Sequence, residues 1–487
     1  MTEPADAVPV PLAAALERAG QQHVLRFWPT LDAAGRTRLL DQLAVIDWGE
    51  FAMLQQLARS RSSATAATPL DLSAAVTPPC LRLRHPAHDP TPVAAVAAGE
   101  RLLAEGRAAA ILVAGGQGTR LGCTGPKGLV PVGPVSQATL FKILCGRLRA
   151  VQARFGRHVP LAIMTSSATD ADTRRFLHET NHVGLDPDFV HVFRQHDLPA
   201  VDDVTAALLL DAPDHLAMAP DGHGGMLTAL VESGGLDWFG HHGVEHVASF
   251  QVDNPLAMPL DREFLGYHLL TRAEFSTQVV LKREPGERVG VVVEQAGRHA
   301  VVEYSDLSPT LATDRRPDGR LRFHAGSIAV HCFSKAFLDR VRGRDDALPL
   351  HLAHKAVPFL DAAGTLVRPA APNAIKFERF IFDLMPLADR VTVVEIEARD
   401  GFAPLKNPTG AAADSPEHVH AALVDHARRV LAEAGVTVAE GVDVELDAAT
   451  ILDATDIAAV LPRGTHITAP RVIQRPQGGA SVPLAKS

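Results

Sequence analysis

The sequence has few cysteines, no long apolar run and no excess of positive charge, and each absence excludes a class of protein. The net charge of −9 argues against a general nucleic-acid binder, which would normally be basic. No apolar run approaches membrane-spanning length, and the opening MTEPADAVPV lacks the basic start and apolar core of a signal peptide. We therefore expect a reduced, soluble, cytoplasmic protein that binds neither nucleic acid nor membrane. The cysteines, which lack the C-x-x-C spacing of a zinc ribbon and the pattern of a disulfide framework, are Cys80, Cys123, Cys145 and Cys332.

The length of 487 residues suggests two or three domains. Apolar residues at helical spacings between Pro11 and Arg59 predict a group of helices. The stretch 60–92 is rich in Ser, Thr, Ala and Pro, which is typical of a linker. After Arg390, short Val- and Ile-rich runs alternate with turns and predict a β-rich tail. The predicted domains are a helical domain with its linker over 1–92, a central catalytic domain over 93–390 and a small C-terminal domain over 391–487.

From residue 94 onward, predicted strands and helices alternate, a pattern typical of a doubly wound α/β sheet. Three of the strands, between residues 279 and 304, are predicted to be antiparallel to their neighbours. The predicted helices are Val93–Glu105, Ala138–Phe155, Ala168–Glu179, Phe337–Val341, Ile375–Met385 and Glu417–Glu433. The predicted strands are Ala108–Ala114, Leu161–Thr165, Phe189–Arg194, Val244–Val252, Val279–Lys282, Val289–Glu294, Ala300–Tyr304, Ile328–Phe333 and Val391–Ile396.

A glycine-rich loop follows the predicted strand Ala108–Ala114, which is apolar on both faces as a buried parallel strand would be. The loop carries only two charged residues, Arg120 and Lys127. Glycines let backbone N–H groups approach a phosphate closely, and the two cations would neutralise it. The loop is therefore predicted to bind an anionic ligand, and we expect a nucleotide. Its glycines are Gly115, Gly116, Gly118, Gly122, Gly125 and Gly128.

Two common glycine motifs do not fit this loop. The Rossmann fingerprint is G-x-G-x-x-G, whereas Gly116, Gly118 and Gly122 have a spacing one residue too long. A P-loop contains G-K-[ST], but here Pro126 precedes Lys127. Without a known motif, a glycine-rich stretch also fits an ordinary structural turn.

An acidic residue ends the long apolar run Val244–Val252, which is followed by Asp253 and Asn254. Ligands of open α/β sheets bind outside the carboxyl ends of the strands. Asp253 is therefore a functional candidate, and a helix N-cap is the alternative interpretation.

The glycine loop resembles the signature loop of the eukaryotic-type UDP-sugar pyrophosphorylases, which reads G-G-x-G-T-R-L-G followed by P-K. Seven further blocks match that family in order across residues 108–407. Most of them resemble UDP-N-acetylhexosamine pyrophosphorylases, and some positions resemble UDP-glucose pyrophosphorylases. The resemblance implies a Rossmann-like, GT-A-like nucleotidyltransferase fold: a doubly wound mixed sheet with a helical N-terminal segment and a small β-rich C-terminal domain. The blocks are M-T-S at Met164, Q-x-x-L-P-A at Gln195, P-D-G-x-G-G at Pro220, V-D-N at Val252, V-E-Y-S at Val302, K-x-E-x-F-x-F-D at Lys376 and F-x-P-L-K-N at Phe402.

The family resemblance implies a uridylyltransferase, in which UTP and a sugar 1-phosphate give a UDP-sugar and pyrophosphate with the help of Mg²⁺. The catalytic residues implied by the matching motifs are Arg120, Lys127 and Lys376. Those implied for the nucleotide are Ala114, Gly115, Gly116, Gly118, Thr119, Gln195, Pro220, Gly222 and Asp253, with Asp253 also holding the metal. Those implied for the sugar are His223, Asn254, Glu303, Gly326, Ser327 and Lys406.

The sugar positions depart from the family pattern. His223 stands where the N-acetylhexosamine enzymes usually have Asn and the glucose enzymes have His, and His324 and Ser327 replace both asparagines of N-A-G-N. We expect N-acetylglucosamine 1-phosphate as the substrate. The alternatives are glucose 1-phosphate, a broad range of sugars, or a regulatory protein that binds nucleotide sugars without turnover. The oligomeric state stays open at this point.

Overall fold

The computed structural model describes residues 7–60, 71–86, 88–344 and 347–476. No helix in these ranges has the length and apolar character needed to cross a membrane. The α-helices are α1 (Val10–Ala19), α2 (Ala33–Ala44), α3 (Trp48–Ser60), α4 (Pro92–Ala104), α5 (Leu140–Phe155), α6 (Asp170–Glu179), α7 (Gly225–Glu232), α8 (Gly235–His241), α9 (Arg262–Leu270), α10 (Pro309–Thr313), α11 (Lys335–Val341), α12 (Ala398–Gly401), α13 (Pro416–Glu433) and α14 (Ala454–Ala458).

The β-strands include most of those predicted, together with several short additional pairs. They are β1 (Leu81–Arg82), β2 (Ala108–Val113), β3 (Leu161–Thr165), β4 (Val190–Arg194), β5 (Asp197–Pro199), β6 (Val201–Asp202), β7 (Leu210–Ala212), β8 (His215–Leu216), β9 (Met218–Pro220), β10 (His246–Gln251), β11 (Phe275–Leu281), β12 (Val291–Gln295), β13 (Arg298–Val302), β14 (Ala325–Ser334), β15 (His351–Lys355), β16 (Phe359–Leu360), β17 (Leu366–Val367), β18 (Ala374–Glu378), β19 (Val391–Glu395), β20 (Thr437–Val438), β21 (Val444–Leu446), β22 (His466–Ile467) and β23 (Arg471–Ile473).

The chain forms two compact units, and each is assembled from separate stretches of sequence. The smaller unit contains the described parts of Met1–Pro69, His196–Gly225 and Asp345–Asp383. The larger unit contains the described parts of Leu70–Gln195, Met226–Arg344 and Leu384–Ser487. These two units are made of discontinuous segments, whereas the sequence predicted three consecutive domains. The division into three domains stays a prediction.

The larger unit is built on a ten-stranded mixed sheet with the order β1-β19-β11-β14-β10-β2-β3-β4, to which the β12–β13 hairpin attaches through β14. Strand β2 runs parallel to β3 and β10, and β3 runs parallel to β4. Strand β14 runs antiparallel to β10 and β11. This arrangement confirms the predicted α/β fold with a mixed sheet. Strands β2 and β3 are almost wholly buried, which explains their apolar composition on both faces.

The carboxyl ends of β2, β3, β4 and β10 meet at one edge of this sheet. In the ladder, Val113 lies opposite both Gln251 and Met164, and Thr165 lies opposite Arg194. The segments that follow these strands begin with the glycine loop, Ser166, Gln195 and Val252. The sheet therefore brings together at one edge several residues that are distant in sequence.

Helix α5 confirms the prediction for Ala138–Phe155 and shows why the helix has these limits. The Thr139 side chain caps its start by accepting a hydrogen bond from the Lys142 N–H over 3.3 Å. Gly156 ends it in the left-handed conformation, with φ of +64°. One face of α5 joins the apolar core of the large unit through residues such as Phe141 and Leu148.

The smaller unit confirms the predicted N-terminal helices but adds β-structure from later in the chain. The three-stranded sheet β15-β18-β6 lies in this unit, as do the pairs β5-β9 and β7-β8. Leu16 and Phe51 of the helices share one apolar core with Val201 and Phe377 of the strands. The N-terminal helices therefore depend on later segments to bury their apolar faces.

The helix predicted over Ile375–Met385 is wrong. The chain instead forms strand β18 and then a 3₁₀ helix, Ile381–Leu387. In β18 the side chains of Ile375 and Phe377 are buried and alternate with partly exposed Lys376 and Glu378, which is the period of a strand. Every residue of β18 pairs with β15. Lys376 consequently projects from a strand.

The C-terminal segment is β-rich, as predicted, but it begins later than predicted. Strand β19, which was expected to open it, lies in the main sheet and pairs parallel with β11. The remainder contains α13 and two parallel strand pairs, β20-β22 and β21-β23, around an apolar core of its own that includes Leu431 and Ile457. The predicted linker over 60–92 contributes β1, an edge strand beside β19, while residues 61–70 lie outside the described residues.

Candidate active site

The glycine loop folds back on itself directly after β2. The Gly118 N–H donates to the Gly125 carbonyl over 3.0 Å. The Lys127 N–H donates to the Gly116 carbonyl over 3.1 Å. Gly125 has φ of +109°, a conformation that is strained for residues with a side chain. The two ends of the loop therefore lie side by side at the carboxyl edge of the sheet.

The loop begins at a residue that is hydrogen-bonded to the sheet and continues into an exposed turn. Ala114 is buried, and its N–H donates to the Met164 carbonyl over 2.8 Å. Within the described chain, the N–H groups of Gly115 and Gly116 donate to no acceptor, and a Cβ on Gly116 would meet no atom within 4 Å. Thr119 continues the loop as a 3₁₀ turn, Thr119–Leu121. Gly116 is exposed and Gly115 is buried, and unpaired backbone N–H groups at such a turn are suited to binding an anion.

Gln195 lies beside this loop with its amide buried. Its residue is 4 % exposed, and its N–H donates to the Thr165 carbonyl over 3.0 Å. A Cβ on Gly115 would lie 3.2 Å from the Gln195 Nε2 atom, so the absence of a side chain on Gly115 leaves room for the amide. Among the described residues, no group donates to Gln195 Oε1. A buried amide oxygen without a donor is costly, which favours a ligand N–H at this position.

Three predicted cations and Asp253 share one electrostatic environment. The Lys127 Nζ atom lies 3.7 Å from Asp253 Oδ2 and donates to the Leu405 carbonyl over 3.2 Å. Burial lowers the pKa of Lys127, Asp253 acts in the opposite direction, and Arg120 and Lys406 lower the pKa further. The predicted Arg120, Lys127, Asp253 and Lys406 are thus brought together from the loop, the end of β10 and the segment after β19.

Lys406 is held by a closed loop that the sequence did not reveal. The Leu405 N–H donates to the Asp253 carbonyl over 2.8 Å. The N–H groups of Lys406 and Asn407 both donate to the Asp414 carbonyl, over 2.8 and 2.9 Å. Asp414 has φ of +55°, which is uncommon for a residue with a side chain. The sequence analysis did not single out Asp414, because nothing in its sequence context indicated contact with the Lys406 segment.

The side chain of Asp414 also faces the charged cluster. Burial raises the pKa of this carboxyl group, Lys406 lowers it and Asp253 raises it. Asp414 is therefore a second acidic group near Asp253 that the motif comparison missed, because the matched block ends at Asn407.

Asn254 has a structural role in this arrangement. Its Nδ2 donates to the Gly401 carbonyl over 2.8 Å, and its Oδ1 accepts from the N–H groups of Leu256 and Ala403 over 3.2 and 3.0 Å. These bonds fix the segment that leads to Lys406. Both polar atoms of the Asn254 side chain are engaged by the protein, which does not support the predicted contact with the sugar. That contact stays a prediction.

Three of the six residues predicted for the sugar lie around β14 and the β12–β13 hairpin. The Ser327 N–H donates to the Gly290 carbonyl over 2.8 Å. A Cβ on Gly290 would lie 3.0 Å from Glu303 Oε1, and a Cβ on Gly326 would lie 3.2 Å from the Val280 carbonyl oxygen. Glu303, Gly326 and Ser327 are therefore close neighbours, packed through glycines that leave no room for side chains.

In the smaller unit, the P-D-G-x-G-G block forms a tight turn against the segment after β18. The Arg379 N–H donates to the Asp221 carbonyl, and the Gly224 N–H donates to the Arg379 carbonyl, each over 2.7 Å. Gly222 has φ of +84°, and a Cβ there would lie 2.5 Å from the Arg379 carbonyl oxygen. Burial raises the pKa of Asp221 to about 7, although Arg379 lies 3.7 Å away and lowers it. The turn thus requires glycine and fixes the position of the next residue, His223.

His223 packs among aromatic rings of the same unit. Its ring centroid lies 5.3 Å from that of Phe380 and 5.4 Å from that of Phe382. Its Nδ1 atom accepts from the Ile381 N–H over 3.2 Å, so the neutral ring carries its proton on Nε2. Burial, followed by the charge of His351, lowers the pKa of His223 to about 4. The two phenylalanines were not predicted as site residues, although both lie in the matched K-x-E-x-F-x-F-D block.

The predicted Pro220 and Lys376 also belong to the smaller unit. Pro220 ends β9, where it pairs with Asp197, and Lys376 pairs with Ala353 in the β15–β18 ladder. The predicted site residues are therefore divided between the two units. The smaller unit contains Pro220, Gly222, His223 and Lys376, and the larger unit contains the others.

The described residues contain no group of three or more His, Cys, Asp or Glu side chains that could hold a metal. This applies also to His241, His242 and His246, whose clustering in the sequence might suggest a metal site. Mg²⁺ commonly uses only one or two carboxylates and takes its other oxygen ligands from phosphates and water. Asp253, with a partly exposed carboxylate, therefore fits such a role, but a metal cage made of protein groups alone does not exist in the described chain.

The class of protein follows from the sheet and the loop. A mixed α/β sheet with a glycine loop at its carboxyl edge, exposed backbone donors and clustered cations is typical of nucleotide-binding enzymes.

Comparison with known proteins makes this class more specific. Residues 94–415 match the model of the UTP–glucose-1-phosphate uridylyltransferase family. UDP-N-acetylhexosamine pyrophosphorylase-like protein 1 from Homo sapiens is 40% identical over 435 residues, which are 87% of this chain and 85% of that protein. UDP-N-acetylglucosamine pyrophosphorylase from Saccharomyces cerevisiae is 35% identical over 356 residues, 72% of this chain and 74% of that protein.

A solved structure supports the fold. The crystal structure of the uridine diphosphate N-acetylglucosamine pyrophosphorylase from Trypanosoma brucei, in complex with an inhibitor, superposes with a TM-score of 0.75. It covers 97% of this chain and 99% of its own, at 23% identity. The chain belongs to the UTP–glucose-1-phosphate uridylyltransferase family and is a nucleotidyltransferase of the UDP-sugar pyrophosphorylase type.

Proposed function

We propose that this enzyme transfers the uridylyl group of UTP to N-acetylglucosamine 1-phosphate and releases pyrophosphate. The observation that carries the proposal is the carboxyl edge of the main sheet. There the unpaired N–H groups of the glycine loop, the buried Gln195 amide and the Lys127–Asp253 pair follow the ends of β2, β4 and β10 at one edge of the sheet. The Saccharomyces cerevisiae relative carries the name of a UDP-N-acetylglucosamine pyrophosphorylase, which supports this sugar. The human relative carries the broader name of a UDP-N-acetylhexosamine pyrophosphorylase-like protein, which agrees with an N-acetylated sugar.

The nucleotide would be recognised through its base and its phosphates. Uracil carries an N3–H donor flanked by carbonyl oxygens, and an amide can both accept from the donor and donate to one oxygen. Gln195 offers that pair of groups, and its Oε1 has no other donor in the described chain. Gly115 and Gly116, with Arg120 and Lys127, would bind the triphosphate.

The reaction needs positive charge and positioning rather than a covalent nucleophile. An oxygen of the sugar phosphate attacks the α-phosphorus of UTP and forms a new P–O bond. The P–O bond to the β-phosphate breaks, and pyrophosphate leaves with the electron pair. Lys127, with Asp253 to support its charge, is suited to stabilise charge that develops on the phosphates. Lys406 is assigned to the sugar phosphate.

Asp253 would hold Mg²⁺ together with phosphate oxygens. When bound, the ion would neutralise phosphate charge that the three neighbouring cations balance only in part. The 3.7 Å separation of Lys127 and Asp253 is too long for a tight ion pair, which leaves the carboxylate available.

Glucose 1-phosphate is a second candidate substrate because of the residues at the sugar positions. His223 offers one donor, since its Nδ1 already accepts from Ile381. An asparagine at this position could both donate to and accept from an N-acetyl group. Ser327 is shorter than the asparagine usual in the family. We therefore expect N-acetylglucosamine 1-phosphate to be used with only weak discrimination against glucose 1-phosphate.

A steady-state assay with UTP, Mg²⁺ and each sugar 1-phosphate, following pyrophosphate, tests the function. Turnover should require both substrates, and absence of pyrophosphate with every sugar would refute the proposal. His223→Asn should raise the ratio of kcat/KM for the N-acetylated sugar over glucose by about tenfold, because the amide restores an acceptor and a donor. A preference of the parent enzyme for glucose 1-phosphate by more than about 10³-fold, roughly 4 kcal/mol, would contradict the assignment of the sugar.

A further inference from the structure

A small, partly open cavity lies between helix α5 and the C-terminal segment of the larger unit. Its volume is about 40 Å³, and its walls come from α5, from α13 and from the chain that follows β21. This volume is the space open to the centre of a water-sized sphere, and roughly 10–15 Å³ of such space is enough to hold one water molecule. None of the lining residues belongs to the candidate active site.

Arg147 on α5 lines this cavity and has no counter-charge. The residue is 9 % exposed, and its Nη1 donates to the Ala257 carbonyl over 2.5 Å. No carboxylate of the described chain forms an ion pair with it. Burial is the only cause that lowers the pKa of Arg147 to about 10, so no neighbouring carboxylate supports its charge. A buried, uncompensated charge is strongly unfavourable.

Two further arginines act, together with Arg147, on a histidine that lines the same cavity. His426 of α13 lines the same cavity, and its pKa is lowered to about 3, first by burial and then by Arg147, Arg429 and Arg84. A single carboxylate, Asp400, pairs with both of the other arginines, at 3.1 Å from Arg429 and 3.7 Å from Arg84.

Glu445 is the one acidic residue among those that line the cavity, and its oxygens are already engaged. One accepts from the N–H groups of Val135 and Ser136 over 2.8 and 2.7 Å, and the other accepts from the Ser136 hydroxyl over 2.6 Å. Glu445 therefore holds the 135–136 turn, and it forms no ion pair with Arg147 and does not shift the pKa of Arg147.

We propose that this cavity binds one small inorganic anion of halide size, with the Arg147 guanidinium as its main ligand. The anion supplies the charge that the described protein groups do not, and the volume excludes anions as large as a nucleotide. Because the walls belong to α5 on one side and to α13 and the C-terminal β-rich segment on the other, the anion links that segment to the core of the unit. This inference is independent of the proposed function.

Bromide is the direct probe, because it replaces chloride and scatters X-rays anomalously. Crystals of the unmodified protein grown in sodium bromide should show an anomalous peak next to Arg147, within the cavity. Absence of a peak at this position, when bromide is present at molar concentration, would overturn the proposal.

Unfolding in urea provides a second measurement with a matched control. At a bromide concentration about ten times its dissociation constant, the unfolding equilibrium constant should be about elevenfold lower than in sodium gluconate of equal ionic strength. Arg147→Met should remove this difference between the salts. Arg149→Met, at an exposed position on the same helix, should keep it.

An equal bromide effect in Arg147→Met and in the parent protein would show that the salts act elsewhere, and would overturn the proposal. If Arg147→Met does not fold, the anomalous peak in the unmodified protein decides the question by its presence or absence.

Discussion

At the scale of single residues, the site depends on charged side chains that lie near one another without forming close ion pairs. Lys127 has a backbone carbonyl and a loosely placed Asp253 as partners, and two further cations nearby lower its pKa. The charged form of such a lysine is only weakly stabilised until an anion binds next to it. This is the state expected of a group whose main partner is a phosphate.

Lys127→Met should lower kcat by about 10²-fold or more, because it removes one cation from a transition state in which phosphate charge is redistributed. Lys142→Met, at an exposed position on α5, serves as the matched control and should have no effect. Pyrophosphate release with saturating substrates measures kcat, and circular dichroism checks the fold. If Lys127→Met kept more than a third of the parent activity, Lys127 would not be catalytic.

Asp414 offers a test that separates backbone conformation from charge. Its φ of +55° is tolerated by asparagine and glycine, whereas alanine in that conformation costs roughly 1 kcal/mol. Asp414→Asn and Asp414→Gly should therefore keep the KM for the sugar 1-phosphate. Asp414→Ala should raise that KM severalfold, because the carbonyl that holds Lys406 and Asn407 shifts. Urea unfolding should show the same order of stability.

If Asp414→Asn raised the KM as much as Asp414→Ala does, the carboxylate charge and not the conformation would be responsible. The two outcomes are distinguishable because only alanine strains the backbone.

At the scale of elements, local sequence patterns predicted the strands and helices whose environment is uniform. Strand β2 is buried on both faces, and α5 begins after a capping Thr139 and ends at Gly156. The limits of both elements could therefore be predicted from the sequence. The segment 375–385 was misread because its apolar residues at positions 375, 377, 380, 381 and 384 were interpreted as one face of a helix. Pairing with β15 and β6, both distant in sequence, selects the strand.

Long-range pairing also explains the other differences. β19 is locally similar to the short strands of the tail, and its position between β1 and β11 depends on partners far away in sequence. In the site, motif matches located Lys127, Asp253 and Lys406, which the fold brings together. They could not reveal Asp414, which acts through its backbone, or the hydrogen bonds that occupy the Asn254 side chain.

The glycine loop as an element predicts a separation of stability from binding. A Cβ at Gly116 would meet nothing within 4 Å, so Gly116→Ala should change the free energy of unfolding by less than about 0.5 kcal/mol. The added methyl group would nevertheless obstruct a phosphate close to the backbone and should raise the KM for UTP about tenfold. Gly286→Ala, also at an open position, is the control and should change neither quantity. An unchanged KM in Gly116→Ala would place the phosphates elsewhere.

At the scale of the whole molecule, several histidines are held neutral by burial. Burial lowers the pKa of His223 and His246 to about 4 and that of His426 to about 3, and it lowers the pKa of His268 well below 6.5. In the unfolded chain these groups take up protons near pH 6.5. The unfolded state therefore binds more protons than the folded state at pH 5, and stability falls as the pH decreases from about 6.5 towards 4.

The midpoint of urea unfolding should accordingly be lower at pH 5 than at pH 7.5. His246→Gln should reduce this difference, because one of the depressed groups is removed. His241→Gln, at an exposed position, should leave it unchanged. Equal midpoints at the two pH values in the parent protein would contradict the linkage.

The composition of the smaller unit has a consequence for the order of events during synthesis. Its apolar core joins Leu16 and Phe51 to Val201 and to Phe377. A ribosome that has made the N-terminal helices must add more than 300 further residues before the last strand of their core exists. Until then, the helices expose apolar surface in a nascent chain that is open to chaperones and proteases. This unit can reach its native packing only near the end of translation, after the first strands of the main sheet are already available to fold.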